Sequence, residues 1–399
     1  MLPSCAINKD EPIMAPVVLI DSCRHPVAYD LRGPDAAPLL VLLPSLGISK
    51  EMWEPQMMAL TGWFRVLRVE HPGHGGEGLT PGPYTAETLG RRVLEVVDSI
   101  GGHTFSLVGS SMGGMVAMWI AARYPERVTR LVLCCTAPVI GPADLWNERA
   151  GNVRRDGTRP TKQELAGRWF TPRFSAENTV LIDSLHKNFT QIDAEAYALC
   201  CELLAEADLR QELPEIKAPT LVIAGALDSV ISIQSCTETT LAIKGAALTA
   251  LADGSHLPNL EQPASFNDLL LRHLIGETME RGNTVRRAVL GEEYVVSQGG
   301  NLPREPFEEF MTKVYWGEVW SRPGLDISTR RLLNIAMLTC LKHTDGLAIH
   351  VRAALRAGIS ANTIQEVVLQ AAVVAGVPAA NAARFVINHV INEEQATRL

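Results

Sequence analysis

The sequence predicts an α/β domain on a mostly parallel, doubly wound sheet, with a helical insertion, followed by a separate all-α domain. Three observations carry this reading. Short continuous apolar runs alternate with helix-period segments from Pro38 to Cys135 and resume at Pro219. Between Ile140 and Glu212 those runs vanish and amphipathic helical patterns replace them. Beyond a polar stretch at 276–284 no run requires a strand. Residues 1–275 are therefore read as the α/β domain, with its insertion at about 140–212. Residues 276–284 are read as a linker and 285–399 as the all-α domain.

Val17–Ile20 and the stretch near 27–29 read as two short strands joined through turn residues. Pro38–Leu43 is apolar throughout, as a central strand covered on both faces must be. It ends in Pro44-Ser45-Leu46-Gly47. Phe64–Val69 is the next strand, followed by Glu70-His71-Pro72-Gly73-His74-Gly75-Gly76. That glycine-rich turn lacks the spacing that cradles phosphate, so His71 and His74 read as structural. Thr88–Ile100 has helical periodicity.

Gly109-Ser110-Ser111-Met112-Gly113 then fits G-x-S-x-G. A strand that turns directly into a helix strains its central residue and crowds the positions two before and two after. Glycine fits there because it has no Cβ. The turn lifts the Ser111 hydroxyl above the sheet edge, over the free N–H groups of the helix start, where an oxyanion can be stabilised. Met112 supplies one such N–H, and the loop at Leu46 is expected to supply the second.

Arg130–Cys135 is another buried strand. The insertion is expected to be a lid with helices near 145–153, 162–169, 175–188 and 193–206. Trp146, Arg149 and Trp169 are its candidate substrate-lining residues, with Arg154, Arg155 and Phe170 beside them. The sheet resumes at Pro219–Gly225, with Asp228 three residues on. A last strand, Ala247–Leu251, precedes His256. In this reading His256 takes the Ser111 proton and later activates water, while Asp228 fixes the imidazole tautomer. Asp253, on the same loop as His256, is the rival acid and the less favoured one.

The all-α domain is expected to hold helices at 306–316, 328–341, 347–357, 362–375 and 378–394. Asp326 and Ser360 suit N-caps, and Gly358 and Gly376 suit C-caps. His350, on an apolar helical stretch, together with nearby arginines and tryptophans, reads either as an anion-binding acid/base site or as a structural histidine among salt bridges.

Composition narrows the classes. The chain has 399 residues, 47% hydrophobic and 20% charged, with a net charge of −8. The first 279 residues hold 23 basic and 32 acidic side chains, the remainder 13 and 12. There is no basic patch of the kind nucleic acid requires. No apolar run spans a bilayer, and residues 1–16 lack the pattern of a signal peptide. The eight cysteines form no C-x-x-C pair, which predicts reduced thiols, a cytoplasmic protein and no metal.

Residues 16–275 resemble the 3-oxoadipate enol-lactonase family of α/β hydrolases. The matching segments are Pro44–Gly47, Pro81–Thr85, Gly109–Gly114, Arg168–Pro172 and Asp208–Arg210. The order Ser111, Asp228, His256 is also that of the fold. Residues 280–395 resemble 4-carboxymuconolactone decarboxylases through Arg287–Gly291, Trp316–Leu325, His350–Leu355 and Gly376–Asn381. Pro72 stands where the lactonases usually have Arg, and Gly346 where the decarboxylases usually have Glu.

The resemblance implies an α/β-hydrolase domain with a helical lid followed by an all-α decarboxylase-like domain. It implies a bifunctional enzyme of the protocatechuate branch of the β-ketoadipate pathway, without a cofactor, acting on small lactone carboxylates. Homo-oligomerisation through the C-terminal domain is implied as well. Catalytic roles fall to Ser111, Asp228, His256 and His350, and carboxylate binding to Arg322, Arg331 and Arg352 with Glu318 beside them. The alternative is a serine esterase or lactonase of other specificity, whose helical domain is a non-catalytic oligomerisation module.

Overall fold

Among the described residues, eight strands form one sheet in the order β1-β2-β4-β3-β5-β6-β7-β8. They are β1 (Val18–Ile20), β2 (Val27–Arg32), β3 (Leu39–Leu43), β4 (Arg65–Val69), β5 (Phe105–Ser110), β6 (Val128–Cys134), β7 (Thr220–Gly225) and β8 (Ala247–Leu251). The β1–β2 and β2–β4 pairs are antiparallel and all the others parallel. This computed structural model describes residues 18–20, 27–159, 167–276, 278–300, 305–322 and 325–396. The chain divides into two units, Met1–Met57 with Trp63–Asn267, and Met58–Gly62 with Asp268–Leu399.

In the first unit the apolar runs become central strands. All five residues of β3 and all six of β5 and β7 are buried. Val41 pairs with Leu107, Gly109 with Leu133 and Cys134 with Ile223. The strand order reverses direction between β3 and β5. A crevice opens at such a switch point, outside the carboxyl ends of the strands. The loop after β3 carries Leu46, and the turn after β5 carries Ser111.

Helices α1 (Glu54–Leu60), α2 (Ala86–Ser99) and α3 (Met112–Arg123) connect the early strands. The Thr85 hydroxyl caps α2 by accepting the Thr88 N–H at 3.0 Å. The insertion after β6 is helical: α4 (Ala143–Asp156), α5 (Pro172–Glu177), α6 (Thr179–Phe189) and α7 (Ala194–Glu206). Of the helix expected at 162–169, residues 167–169 are helical, and 162–166 lie outside the described residues. Helices α8 (Ile233–Ala242), α9 (Pro258–Glu261) and α10 (Pro263–Ile275) complete this part of the chain.

Among its described residues the second unit holds helices joined by turns, with no strand: α11 (Thr278–Leu290), α12 (Glu292–Ser297), α13 (Pro306–Phe310), a π-helix (Met311–Val319), α14 (Ile327–Cys340), α15 (Thr344–Arg356), α16 (Ala361–Ala375) and α17 (Val377–Ala396). Asp326 and Ser360 cap α14 and α16, accepting from Thr329 N–H at 2.9 Å and Thr363 N–H at 3.0 Å. Its core joins Ile335, Leu347, Val351, Ile364, Val368 and Ile387.

Two expectations change here. The stretch read as a linker is mostly helix, because α11 begins at Thr278. A Cβ on Gly282 would lie 1.9 Å from the Thr312 carbonyl oxygen. That glycine serves close helix packing, not chain freedom. The helix expected at 306–316 is α13 running into a π-helix, whose wider turn shifts the following side chains around the axis. Among the described residues no helix is long and apolar enough to cross a membrane.

Candidate active sites

Ser111 lies between the end of β5 and the start of α3, with φ 52° and ψ −118°. An L-residue pays strain there, and the flanking positions show why the chain cannot relax it. A Cβ on Gly109 would meet Gly113 O at 2.3 Å, and one on Gly113 would meet Pro44 O at 2.4 Å. Below the elbow, the Ser111 carbonyl accepts from Thr136 Oγ1 at 2.7 Å and from Gly114 N–H at 2.9 Å. Met112 begins the helix, where the first N–H groups have no intrahelical acceptor.

The loop after β3 is tied on both sides of Leu46. Ser45 N–H points to the Met52 sulfur at 3.3 Å and Gly47 N–H donates to His74 Nε2 at 3.2 Å. His74 Nδ1–H donates to Pro72 O at 2.9 Å, which leaves Nε2 as the acceptor. His71 Nε2–H donates to Pro44 O at 2.8 Å. Burial pushes His74 down to about 4 and His71 to about 3, so both rings are neutral at neutral pH. Both histidines are structural: they hold the loop that carries Leu46.

Asp228 and His256 extend from the ends of β7 and β8. His256 Nδ1 lies 2.9 Å from Asp228 Oδ2, and Asp228 Oδ1 accepts from Val230 N–H at 2.7 Å and Ile231 N–H at 3.0 Å. Burial alone would raise the Asp228 carboxyl. The His256 charge and hydrogen bond, with the two backbone donors, outweigh it and hold the carboxyl below its usual range. Asp253 is exposed.

In the lid, Trp169 reaches the Leu46 loop: the Gly47 Cβ position lies 3.3 Å from its Cζ2 and 2.9 Å from Phe189 Cε2. Trp146 donates its indole N–H to Ile140 O at 2.5 Å. The buried Arg149 guanidinium stacks over the Trp146 ring at 5.1 Å. Arg154 instead pairs with Glu195 and Glu202.

In the second unit, Trp320 stacks on His350, with centroids 6.1 Å apart and an interplanar angle of 13°. Asn334 Nδ2 lies 3.3 Å from His350 Nε2 and 3.1 Å from the Tyr315 hydroxyl. His350 Nδ1 and Arg331 Nε are buried without a hydrogen-bond partner among the described residues. Arg331 Nη2 donates to Ala288 O at 2.7 Å, and Arg331 forms no ion pair among the described residues. Burial, then the Arg331 charge, push His350 down to about 4. Arg352 pairs with Glu393 and Glu394, and Glu318 lies 3.5 Å from Arg281. Arg322 is exposed. Of its polar candidates, this unit brings together Arg331 and His350. Pro323 and Gly324 lie outside the described residues.

Sequence reasoning missed Asn334 as the partner of His350, and Tyr315 as the partner of Asn334, because a neighbouring helix and the π-helix bring them there. It also missed Glu261, whose only signal was its place five residues after His256.

The alpha/beta hydrolase family profile matches residues 40–269, and that of the carboxymuconolactone decarboxylase family matches 305–388. The chain is 36% identical over 255 residues to 3-oxoadipate enol-lactonase 2 of Acinetobacter baylyi, covering 64% of this chain and 93% of that relative. It is 39% identical over 116 residues to 4-carboxymuconolactone decarboxylase of the same organism, covering 29% and 87%. Among solved structures, the enol-lactonase from Burkholderia xenovorans LB400 superposes with a TM-score of 0.62 at 36% identity, covering 63% of this chain and 96% of the other.

Proposed function

We propose, from the premise that this chain belongs to the alpha/beta hydrolase family and carries a carboxymuconolactone decarboxylase family domain, that it performs two consecutive steps of the β-ketoadipate pathway. The second unit decarboxylates 4-carboxymuconolactone to 3-oxoadipate enol-lactone, and the first hydrolyses that product to 3-oxoadipate. One observation carries the reading: relatives of the two halves act on successive compounds, and here they are one polypeptide.

The decarboxylation needs no external electron sink. As the C–CO₂ bond breaks, its electrons run through the ring onto the lactone carbonyl, and the extended enolate takes a proton at carbon. The buried Arg331, whose Nε has no hydrogen-bond partner among the described residues, suits a substrate carboxylate, since an unmet buried donor costs about 1–3 kcal/mol. His350 returns the proton. It is neutral in the free protein, so the substrate's negative charge must draw a proton onto it. Arg322 and Arg352 serve the remaining carboxylate, and Glu318 lies at the rim. Arg352 must first exchange its carboxylate partners.

In the hydrolysis, Ser111 Oγ attacks the enol-lactone carbonyl and His256 takes its proton. The Leu46 and Met112 N–H groups hold the oxyanion. The ring C–O bond breaks, and the leaving enolate takes the proton from His256 and becomes the ketone. His256 then activates water to free the acyl group, with Asp228 holding the ring throughout. Trp146, Arg149 and Trp169 shape the lid side of the pocket.

The second unit is further proposed to bind copies of itself. Leu333 and Met337 on α14 and its C-cap Leu341 form an exposed stripe, and Val373, Val374 and Phe385 are about 80% exposed. The free thiols among the described cysteines support a cytoplasmic setting. The test is turnover of 4-carboxymuconolactone by the full chain, following CO₂ release and ring opening together. Both are expected. Ring opening without CO₂ release, with enol-lactone supplied, would leave a lactonase on a non-catalytic helical module.

A further inference from the structure

Glu261 closes a connection that the proposed hydrolysis does not use. It ends α9, five residues after His256. Its Oε2 accepts the Ser255 N–H at 2.5 Å, and its Oε1 accepts the Thr171 N–H at 2.7 Å. One carboxylate thus joins the backbone N–H of Ser255, the residue before His256, to the lid. On the other side of His256, Leu257 N–H donates to the Trp169 carbonyl at 3.1 Å. The backbone N–H groups of both residues flanking His256, Ser255 and Leu257, therefore reach the lid segment 169–171, one through Glu261 and one directly. The same Trp169 lays its ring against the Leu46–Gly47 loop.

The His256 loop has little other slack. Leu227 N–H donates to Gly254 O at 2.9 Å, and a Cβ on Gly225 would meet Ser255 O at 2.0 Å. The loop is pinned to the Asp228 side by those contacts and to the lid side by Glu261. A carboxylate suits this place because both groups facing it are donors. An amide has one acceptor oxygen and would turn its own N–H₂ toward one of them.

We infer that Glu261 is a positioning residue: it couples the seating of the lid to the placement of His256, so that a change confined to the lid backbone slows the chemical step. This rests on the reading of Ser111, His256 and Asp228 as a hydrolytic triad. The lid then does more than line a pocket, because its Thr171 peptide shares an acceptor with the catalytic loop.

The test uses the full chain and p-nitrophenyl acetate, whose acyl group is too small to depend on lid contacts. Ser111→Ala comes first. If it hydrolyses this ester as fast as wild type does, the triad reading fails, whatever Glu261 does. If activity is lost, three variants decide the coupling. Glu261→Gln removes one of the two acceptors. Thr171→Pro removes the lid donor and the hydroxyl cap on Phe174 and turns its ring Cδ toward Glu261 in the donor's place, at a residue whose φ of −65° proline already matches. Thr171→Ala removes the cap and keeps the donor. Glu261→Gln and Thr171→Pro are expected to lower kcat by about 10- to 100-fold with KM within about twofold of wild type. Thr171→Ala is expected to stay within about threefold of wild type. A Thr171→Pro protein with the kcat of Thr171→Ala overturns the coupling. So does a rise in KM alone, which is what simple damage to a pocket wall produces. If Glu261→Gln fails to fold, the two Thr171 variants still decide it.

Discussion

His74 Nε2 accepts the Gly47 N–H at 3.2 Å, so a ring on one loop sets the peptide that follows Leu46 on another. The neutral state forced by burial keeps that nitrogen an acceptor. His74→Phe preserves ring volume and removes the acceptor. It should lower kcat for lactone hydrolysis by about 10- to 100-fold with little change in KM, because it disturbs the neighbouring Leu46 N–H, the proposed oxyanion donor. His74→Gln, whose amide oxygen can accept, should recover part of the loss. Steady-state kinetics on enol-lactone checks both, and equal losses in the two variants would remove His74 from the oxyanion argument.

The backbone at Ser111 predicts a conflict between stability and activity. Relief of strain at φ 52° is worth about 1–3 kcal/mol, and the extra freedom of unfolded glycine takes back about 0.5–1. Ser111→Gly should therefore abolish hydrolysis and stabilise the first unit by about 1 kcal/mol. Urea unfolding of wild type, Ser111→Gly and Ser111→Ala side by side reads this. The alanine variant, which keeps the Cβ, should gain nothing.

The contact between His256 Nδ1 and Asp228 Oδ2 separates two acids that the sequence left in competition. Asp228→Asn keeps the shape and removes the charge that favours the working tautomer, so kcat should fall by about 10³–10⁴-fold. Asp253→Asn, at an exposed position, should leave kcat within about twofold. Comparable losses in both variants would reopen the assignment.

The elbow and the strand ends were legible in the chain because their chemistry is local. A nucleophile turn spells its own glycines, and Asp228 and His256 each fall just beyond an apolar run. What was not legible depends on backbone groups far apart in sequence. Nothing in Pro72-Gly73-His74 shows that the ring receives Gly47 N–H, and nothing in Asn259-Leu260-Glu261 shows a carboxylate shared with the lid. In the second unit, a polar stretch around Gly282 looks like a linker until the helix facing it is seen. There α11 presents its glycine to a carbonyl, a contact to which hydrophobic periodicity is blind.

Proton uptake should accompany binding in the second unit. His350 is held down to about 4 in the free protein by burial and by Arg331. A lactone bearing two carboxylates raises that value on binding, so the complex prefers the protonated ring. Between the free and the bound pKa, binding weakens as pH rises, by up to about tenfold per unit. KM for decarboxylation should climb from pH 5.5 to 8, while the calorimetric Kd of His350→Gln stays flat. A pH-independent wild-type KM would take the proton-returning role from His350.

Gly282→Ala distinguishes a packed helix from a tether. Its Cβ would sit 1.9 Å from the Thr312 carbonyl oxygen, a backbone atom that cannot rotate away. Either α11 or the π-helix must shift, and overpacking of this kind costs about 1–3 kcal/mol. A flexible linker would instead accept alanine with no loss. Arg331 Nη2 is held by Ala288 O on α11, so a shift of that helix also displaces the guanidinium proposed to bind substrate. Thermal unfolding should show a lowered transition for Gly282→Ala, and decarboxylation should fall while p-nitrophenyl acetate hydrolysis persists. Unchanged melting with full decarboxylation would mean that the close approach of α11 to Thr312 is not maintained in solution.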